Sequence, residues 1–111
     1  MSAGFDYSTA PPRQVWLNGQ LVPFDQATVP ITAMGASGSL AVFEGIKAYW
    51  NAEQEQLYVI QLGAHIRRLY QSMKIVRMAP AFRPADLEAA AVELLRANGA
   101  REDTYVRPVA F

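Results

Sequence analysis

Three polar residues between Gln61 and Val76 are spaced so that they could share one face of a helix. His65, Arg68 and Ser72 follow one another at intervals of three and four, which places side chains on the same side of an α-helix. A guanidinium and an imidazole on one face could bind an anion. The alternative is that Arg68 is an ordinary surface cation at a helix edge, and the spacing alone favours that interpretation.

Tyr105 and Arg107 form a second candidate pair near the end of the chain. Alternate residues of a strand point the same way, so these side chains share a face with Val109 and Phe111. The planar fork of an arginine and the hydroxyl of a tyrosine both suit a carboxylate. The competing interpretation, and the more common one on pattern alone, pairs Arg107 with a nearby acid such as Glu102.

The sequence contains two lysines, Lys47 and Lys74, and Schiff-base chemistry within the chain would require one of them. Lys47 lies in a strand pattern that favours exposure, and Lys74 lies off the apolar stripe of its helix, so both are expected to be solvated. The sequence has no glycine-rich phosphate loop, no Ser-His-Asp set and no paired carboxylates with catalytic spacing. The residues alone leave two candidate anion-binding arginines, Arg68 and Arg107, and no complete catalytic set.

The overall composition limits the classes of function. Of the 111 residues, 51% are hydrophobic, and ten basic side chains balance ten acidic ones, which indicates one compact domain without a basic field for nucleic acid or anionic lipid. The lack of cysteine and the single histidine argue against a metal site. Met1 to Pro12 does not have a signal-peptide pattern, and no apolar run approaches about 18 residues. We therefore expect a cytoplasmic protein without a membrane segment.

The first half of the chain predicts hairpins. After a mobile tail over residues 1–13, a hairpin turns at Asn18-Gly19, a dipeptide suited to a type I′ turn. Asp25 to Leu40 has no clear period and is expected to be an irregular connection or a weak strand. Val42 to Trp50 alternates and can pair with Leu57 to Ile60 across a polar turn.

The second half predicts two helices and a final strand. Apolar residues recur at helical spacing from Leu62 to Val76, and a second helix runs from Pro84 to the stop signal Asn98-Gly99. Glu102 to Phe111 reads as a strand. The fold class expected from this order is α+β, with a mostly antiparallel sheet and two packed helices, over residues 14–111.

Three stretches of the chain carry a family resemblance. They are, in order, Val42-Phe43-Glu44-Gly45-Ile46-Lys47, His65-Ile66-Arg67-Arg68-Leu69 with Ser72 and Lys74-Ile75, and Tyr105-Val106-Arg107-Pro108. Together they resemble the N-terminal small domain of branched-chain amino-acid aminotransferases, the class IV, fold-type IV enzymes that depend on pyridoxal 5′-phosphate. The likeness runs from near Val15 to the end of the chain. It implies that the larger domain, which holds the cofactor lysine, is absent, so that the chain alone would be inactive.

The resemblance also assigns roles by position. Arg68 resembles the arginine that binds the cofactor phosphate. Phe43 and Gly45 resemble walls of the substrate pocket, and Tyr105 and Arg107 resemble the pair that handles the substrate carboxylate. The implied reaction is a ping-pong transfer of an amino group between leucine, isoleucine or valine and 2-oxoglutarate, with proton transfer by the lysine of the larger domain. No catalytic residue is expected in this chain.

The sequence departs from the family pattern at two places. Gly38-Ser39 stands where the family usually has Tyr-Gly, and Lys47 stands where an arginine is usual; both changes bear on substrate choice. D-amino-acid aminotransferase and aminodeoxychorismate lyase of the same class are alternatives, as is a non-catalytic binding module. The resemblance further implies a homodimer that binds an amino acid and a 2-oxo acid.

Overall fold

The computed structural model describes residues 10–111, so most of the expected N-terminal tail lies outside the described residues. All strand pairs within this range are antiparallel, and two long helices accompany them, which confirms the predicted α+β class. The elements are β1 (Gln14–Leu17), β2 (Gln20–Pro23), a 3-10 turn (Phe24–Gln26), α1 (Met34–Ser37), β3 (Val42–Phe43), β4 (Ile46–Asn51), β5 (Gln56–Val59), α2 (Leu62–Ile75), α3 (Pro84–Ala97), β6 (Thr104–Val106) and β7 (Val109–Ala110).

The first hairpin turns where the sequence predicts. Asn18 and Gly19 have φ angles of 49° and 95°, the left-handed backbone that a type I′ turn requires at both positions. This turn sets the register in which Leu17 pairs with Gln20. The hairpin is tied to the rest of the domain by Asn98, whose side-chain amide donates to the carbonyl of Gln14 and accepts from its N–H, both at 3.0 Å.

The strands predicted over Val42 to Trp50 and Glu102 to Phe111 are each divided in two, which corrects the expectation of single strands. The β3–β7 and β4–β6 ladders share one register, so Glu44 lies opposite Pro108 and Gly45 lies opposite Arg107. Pro108 has no N–H to donate, and a proline therefore interrupts a ladder. The Glu44 N–H still donates to the Pro108 carbonyl at 3.1 Å, which keeps the two half-ladders aligned.

The two long helices cover one face of the β5–β4–β6 sheet, as their apolar spacing predicts. Ile46 and Ala48 of β4 are fully buried beneath them. Ile66 of α2 and Leu95 of α3 join the same core cluster. The predicted helix bounds agree with α2 and α3 to within one residue at each end. Four or five apolar residues at regular helical spacing are enough to locate a helix in a sequence.

The segment from Asp25 to Leu40 contains no strand. It contains the end of the 3-10 turn and the one-turn helix α1, which the sequence did not predict because four residues are too few to show a helical period. Just after α1, Ser39 has a φ angle of 53°. That left-handed backbone falls where the resemblance places a glycine, the residue that adopts it without strain.

Candidate functional site

A bidentate ion pair joins the break between β3 and β4 to helix α2. The Arg68 Nε donates to Glu44 Oε1 at 2.6 Å, and the Arg68 Nη2 donates to Glu44 Oε2 at 2.7 Å. The Glu44 side chain is only 5% exposed, whereas that of Arg68 is 67% exposed. The pair therefore consists of a buried carboxylate that holds one edge of a solvent-facing guanidinium.

His65 completes this cluster one helical turn before Arg68. Its Nδ1 lies 2.8 Å from Glu44 Oε2. An ionised carboxylate can only accept hydrogen bonds, so the proton of this contact belongs to His65 Nδ1. The shared flank predicted for His65 and Arg68 is therefore present, and Glu44 is the residue that both contact.

Glu44 is ionised in this environment. The hydrogen bond from Arg68 is the largest influence; burial opposes it, and the hydrogen bond from His65 supports it. Together they lower the pKa of Glu44 from its ordinary 4.5 to about 2. Arg68, with its pKa raised by the same pair, is a permanent cation beside a permanent anion at neutral pH.

The four residues predicted to line the substrate pocket lie together on the outer face of the interrupted ladder. The Arg107 guanidinium carbon lies 4.3 Å from the centre of the Phe43 ring, a cation–π contact. The side chains of Phe43 and Tyr105 are about half exposed. Alternation predicts that Phe43 shares a face with Gly45 and that Tyr105 shares a face with Arg107. The antiparallel register of the strands brings the two pairs to one surface.

Gly45 has no side chain at the point where the Tyr105 ring leans across the ladder. A Cβ built on Gly45 would lie 2.9 Å from the Tyr105 Cε2 and Cζ atoms and still closer to the hydroxyl. The Lys47 ammonium lies 5.4 Å from the centre of the same ring. The absent side chain therefore determines where the phenol lies.

The Arg68 cluster and the Phe43 surface occupy opposite faces of the same stretch of chain. Glu44 turns inward to α2, while Phe43 and Gly45, its two neighbours, belong to the outer face. Glu44 connects the two, since its side chain pairs with Arg68 and its backbone lies between Phe43 and Gly45.

Reasoning from sequence missed the role of Glu44, although the signal was present. The alternation placed Glu44 on the inward face with Ile46 and Ala48, and a glutamate on a core-facing strand position is rarely fully buried unless it is paired. Ser72 is half-buried and contributes its carbonyl to the end of α2. Lys47 and Lys74 are exposed, as expected.

Within residues 10–111 no group of three or more histidine, cysteine, aspartate or glutamate side chains is placed to hold a metal ion. In the same range no helix has the length and apolar content needed to cross a bilayer.

The sequence and fold are similar to those of branched-chain aminotransferases. A probable branched-chain-amino-acid aminotransferase of Aquifex aeolicus is 35% identical over 96 residues, which are 86% of this chain and 31% of that protein. The branched-chain aminotransferase of Thermoproteus uzoniensis, solved with norvaline, superposes with a TM-score of 0.84 at 42% identity over 91% of this chain and 33% of its own. The chain is a homologue of branched-chain aminotransferases over their small N-terminal portion.

A further branched-chain aminotransferase, that of Thermobaculum terrenum solved in its PLP-form, has a TM-score of 0.81 at 39% identity over 88% of this chain and 32% of its own. No family model matches the sequence. The chain thus spans about a third of the length of the branched-chain aminotransferases that it matches. These matches confirm the resemblance and the fold class stated above.

Proposed function

We propose that this chain forms the small-domain side of the active site in a pyridoxal-phosphate-dependent branched-chain aminotransferase. The substrates would be L-leucine, L-isoleucine or L-valine together with 2-oxoglutarate. The observation that carries the proposal is the fixed, exposed guanidinium of Arg68, which Glu44 links through the backbone to the surface where Phe43, Gly45, Tyr105 and Arg107 meet. The similarity to branched-chain aminotransferases supports the reaction, and the two clusters of residues support separate contacts for the phosphate and for the substrate.

The residues present fit the phosphate arm of the cofactor. Glu44 occupies only the Nε and one Nη2 hydrogen of Arg68, and a guanidinium has five donors, so the remaining edge can receive a phosphate. When bound, the cofactor supplies the electron sink that amino-group transfer requires. Lys47 and Lys74 are both exposed, and we propose that neither forms the Schiff base, so that the chain alone would be inactive.

The outer surface would bind the substrate. Arg107, held against the Phe43 ring, offers a planar fork to a carboxylate, and the Tyr105 hydroxyl offers a single donor. The Phe43 ring and the bare backbone at Gly45 would accept a branched aliphatic side chain. The same pocket would bind the distal carboxylate of glutamate when the side chain of Arg107 moves towards that carboxylate.

Homodimeric assembly and a cytoplasmic location belong to the same proposal. Class IV aminotransferases are homodimers with sites near the interface, and this chain leaves large side chains uncovered on its outer face. Contiguous apolar surface of this kind is normally covered by another chain or domain. Light scattering of the chain at high protein concentration should show a mass above that of the monomer. A mass equal to that of the monomer would contradict self-association. The exposed side chains are Phe43, Tyr49, Tyr58, Tyr105 and Phe111, each between 42% and 52% exposed.

A substrate panel on the protein expressed from its complete gene tests the proposal. Transfer from branched-chain L-amino acids to 2-oxoglutarate is the expected activity. Turnover of D-alanine or of aminodeoxychorismate in its place would reject the branched-chain assignment in favour of a sister class IV enzyme.

Paired arginine variants test the residue roles. Arg107→Ala should raise the KM for 2-oxoglutarate at least tenfold, the scale of a lost charge-assisted hydrogen bond. Arg101→Ala removes another exposed arginine of the same segment and should leave KM unchanged. Equal effects of the two variants would reject the assignment of Arg107 to the carboxylate.

A further inference from the structure

Glu44 is a buried carboxylate to which the proposed reaction assigns no part. It is the only buried charged residue in the described range, and a carboxylate is costly to bury unless it is fully paired. Glu44 accepts from Arg68 through both oxygens and from His65 through one. Such complete pairing next to an arginine with free donors on its other edge suggests a role beyond packing.

We propose that Glu44 is a positioning residue, which fixes the guanidinium plane of Arg68 so that its outer edge receives the phosphate of the cofactor. The inference rests on the proposed function, because it assumes that Arg68 binds this phosphate. Glu44 itself does not contact the ligand. It acts only through the orientation of Arg68.

The geometry of the fork supports this role. Glu44 accepts from Nε and Nη2, and Nη2 also lies 3.5 Å from His65 Nδ1. Because this Nδ1 donates its own proton to Glu44, it cannot accept from Nη2. The Nη1 hydrogens and the second Nη2 hydrogen therefore remain as a fork that matches two phosphate oxygens. The Arg68 side chain is 67% exposed, so without Glu44 it would sample many rotamers. Holding it in one orientation lowers the conformational entropy that ligand binding must remove.

The backbone of Glu44 fixes the position of the arginine relative to the substrate surface. Its N–H donates to the Pro108 carbonyl at 3.1 Å, and its neighbours in the chain are Phe43 and Gly45. The anchor for the phosphate and the wall of the substrate pocket therefore depend on the same three residues. A shift of Glu44 would change the separation of the two ends of the ligand.

Charge alone argues in the opposite direction, because the negative charge of Glu44 weakens the attraction of Arg68 for an anion. The carboxylate, however, lies behind the guanidinium, and the outer edge of Arg68 is in contact with solvent, where charges are strongly screened. The orientation of the donors should therefore have the larger effect. An experiment can separate the two, since they predict opposite results for removal of the Glu44 charge.

The test is a titration of the 111-residue chain with inorganic phosphate, followed by NMR at the Nε–Hε group of Arg68. In the wild-type chain, phosphate should shift the Arg68 signals while Hε stays protected by Glu44. In Glu44→Gln, which keeps the volume and removes the charge, the Kd for phosphate should rise about tenfold, the scale observed when groups that orient a ligand-binding side chain are removed.

Asp86→Asn is the matched control. It removes a carboxylate that forms a similar two-point pair with Arg83, at 2.9 and 3.1 Å, on the surface at the start of α3. Its Kd for phosphate should equal that of the wild-type chain. Thermal unfolding of each variant shows whether it is folded at the temperature of the titration.

The outcomes separate this inference from the proposed function. Equal or tighter phosphate binding by folded Glu44→Gln overturns the positioning role and leaves Arg68 as the phosphate ligand. If phosphate leaves Arg68 of the wild-type chain unaffected, both proposals fail. Should Glu44→Gln not fold, the wild-type signal decides: release of Hε on phosphate binding would show that Glu44 competes with the anion, and continued protection supports the positioning role.

Discussion

Glu44 and Arg68 are joined by two hydrogen bonds of 2.6 and 2.7 Å that link an interrupted strand to helix α2. The carboxylate is buried and the guanidinium faces solvent. This asymmetry makes the pair a support for an exposed cation rather than an ordinary surface ion pair.

The stability of the domain should depend on pH through Glu44. Its pKa in the folded state, about 2, lies below the ordinary 4.5, so the ionised form is stabilised by folding, fully so above pH 4.5. This contribution is lost as the pH falls from 4.5 towards 2. The lowered pKa corresponds to at most roughly 3 kcal/mol in the free energy of unfolding. Solvent around the exposed Arg68 screens the pair and reduces this contribution.

Urea unfolding at pH 6 and pH 3 measures this effect. The wild-type chain should lose more stability between the two values than Glu44→Gln, because the variant has no carboxylate to protonate at that position. Other acids, such as Asp86, contribute equally to both proteins and cancel. An equal loss of stability in the two proteins would contradict the lowered pKa of Glu44.

Gly45→Ala should displace the Tyr105 ring. The new methyl group would lie 2.9 Å or less from the ring atoms, but the ring is the half-exposed end of its side chain and can swing outward. We expect a loss of stability of about 1 kcal/mol or less, with changed Tyr105 ring signals in the NMR spectrum. Gly63→Ala in α2, whose nearest neighbours are flexible side-chain ends at 3.3 Å, should leave Tyr105 unaffected. Unchanged Tyr105 signals in Gly45→Ala would refute the contact.

Two isoleucines of α2 should respond very differently to truncation. Ile66 is 1% exposed and Ile75 is 80% exposed. Ile66→Ala should cost about 2–5 kcal/mol, because it leaves a cavity in the core, and Ile75→Ala should change stability by less than about 0.5 kcal/mol. Denaturant unfolding of both variants checks the packing of α2, and similar costs would show that the helix is rotated from the position described.

Ser39→Gly should stabilise the domain. Ser39 has a φ angle of 53°, which costs a residue with a side chain roughly 1–2 kcal/mol, partly offset by the greater freedom of glycine in the unfolded chain. A net gain of about 0.5–1 kcal/mol is expected from thermal unfolding. Ser37→Gly, within α1, should be destabilising instead, because the Ser37 hydroxyl bonds to the Ala33 carbonyl at 3.2 Å. A destabilising Ser39→Gly would contradict the backbone conformation.

The helices and the two halves of the outer surface could be predicted from the sequence, because periodicity determines each of them. Regular apolar spacing predicts α2 and α3, and alternation places Phe43 with Gly45 on one strand face and Tyr105 with Arg107 on the face of another strand. That the two pairs meet on one surface depends on the long-range pairing of the strands. Alternation continues through the breaks at Glu44-Gly45 and Arg107-Pro108, so the pattern does not reveal them. Pro108, which cannot donate to a ladder, is the one local signal for the second break. The pairing of Glu44 with Arg68, 24 positions later, depends on the packing of α2 against β3, which local pattern does not contain.

The most direct test of the central claim, that Arg68 binds the cofactor phosphate, compares the affinities of the complete protein for pyridoxal 5′-phosphate and for pyridoxal. Arg68→Ala should weaken binding of the phosphorylated compound at least tenfold, as expected for a lost charge-assisted contact, and leave binding of pyridoxal unchanged. Arg67→Ala, which removes the adjacent exposed arginine of the same helix, should change neither. If Arg68→Ala weakened binding of pyridoxal 5′-phosphate and of pyridoxal equally, or if Arg67→Ala had the same effect as Arg68→Ala, Arg68 would not be the phosphate ligand.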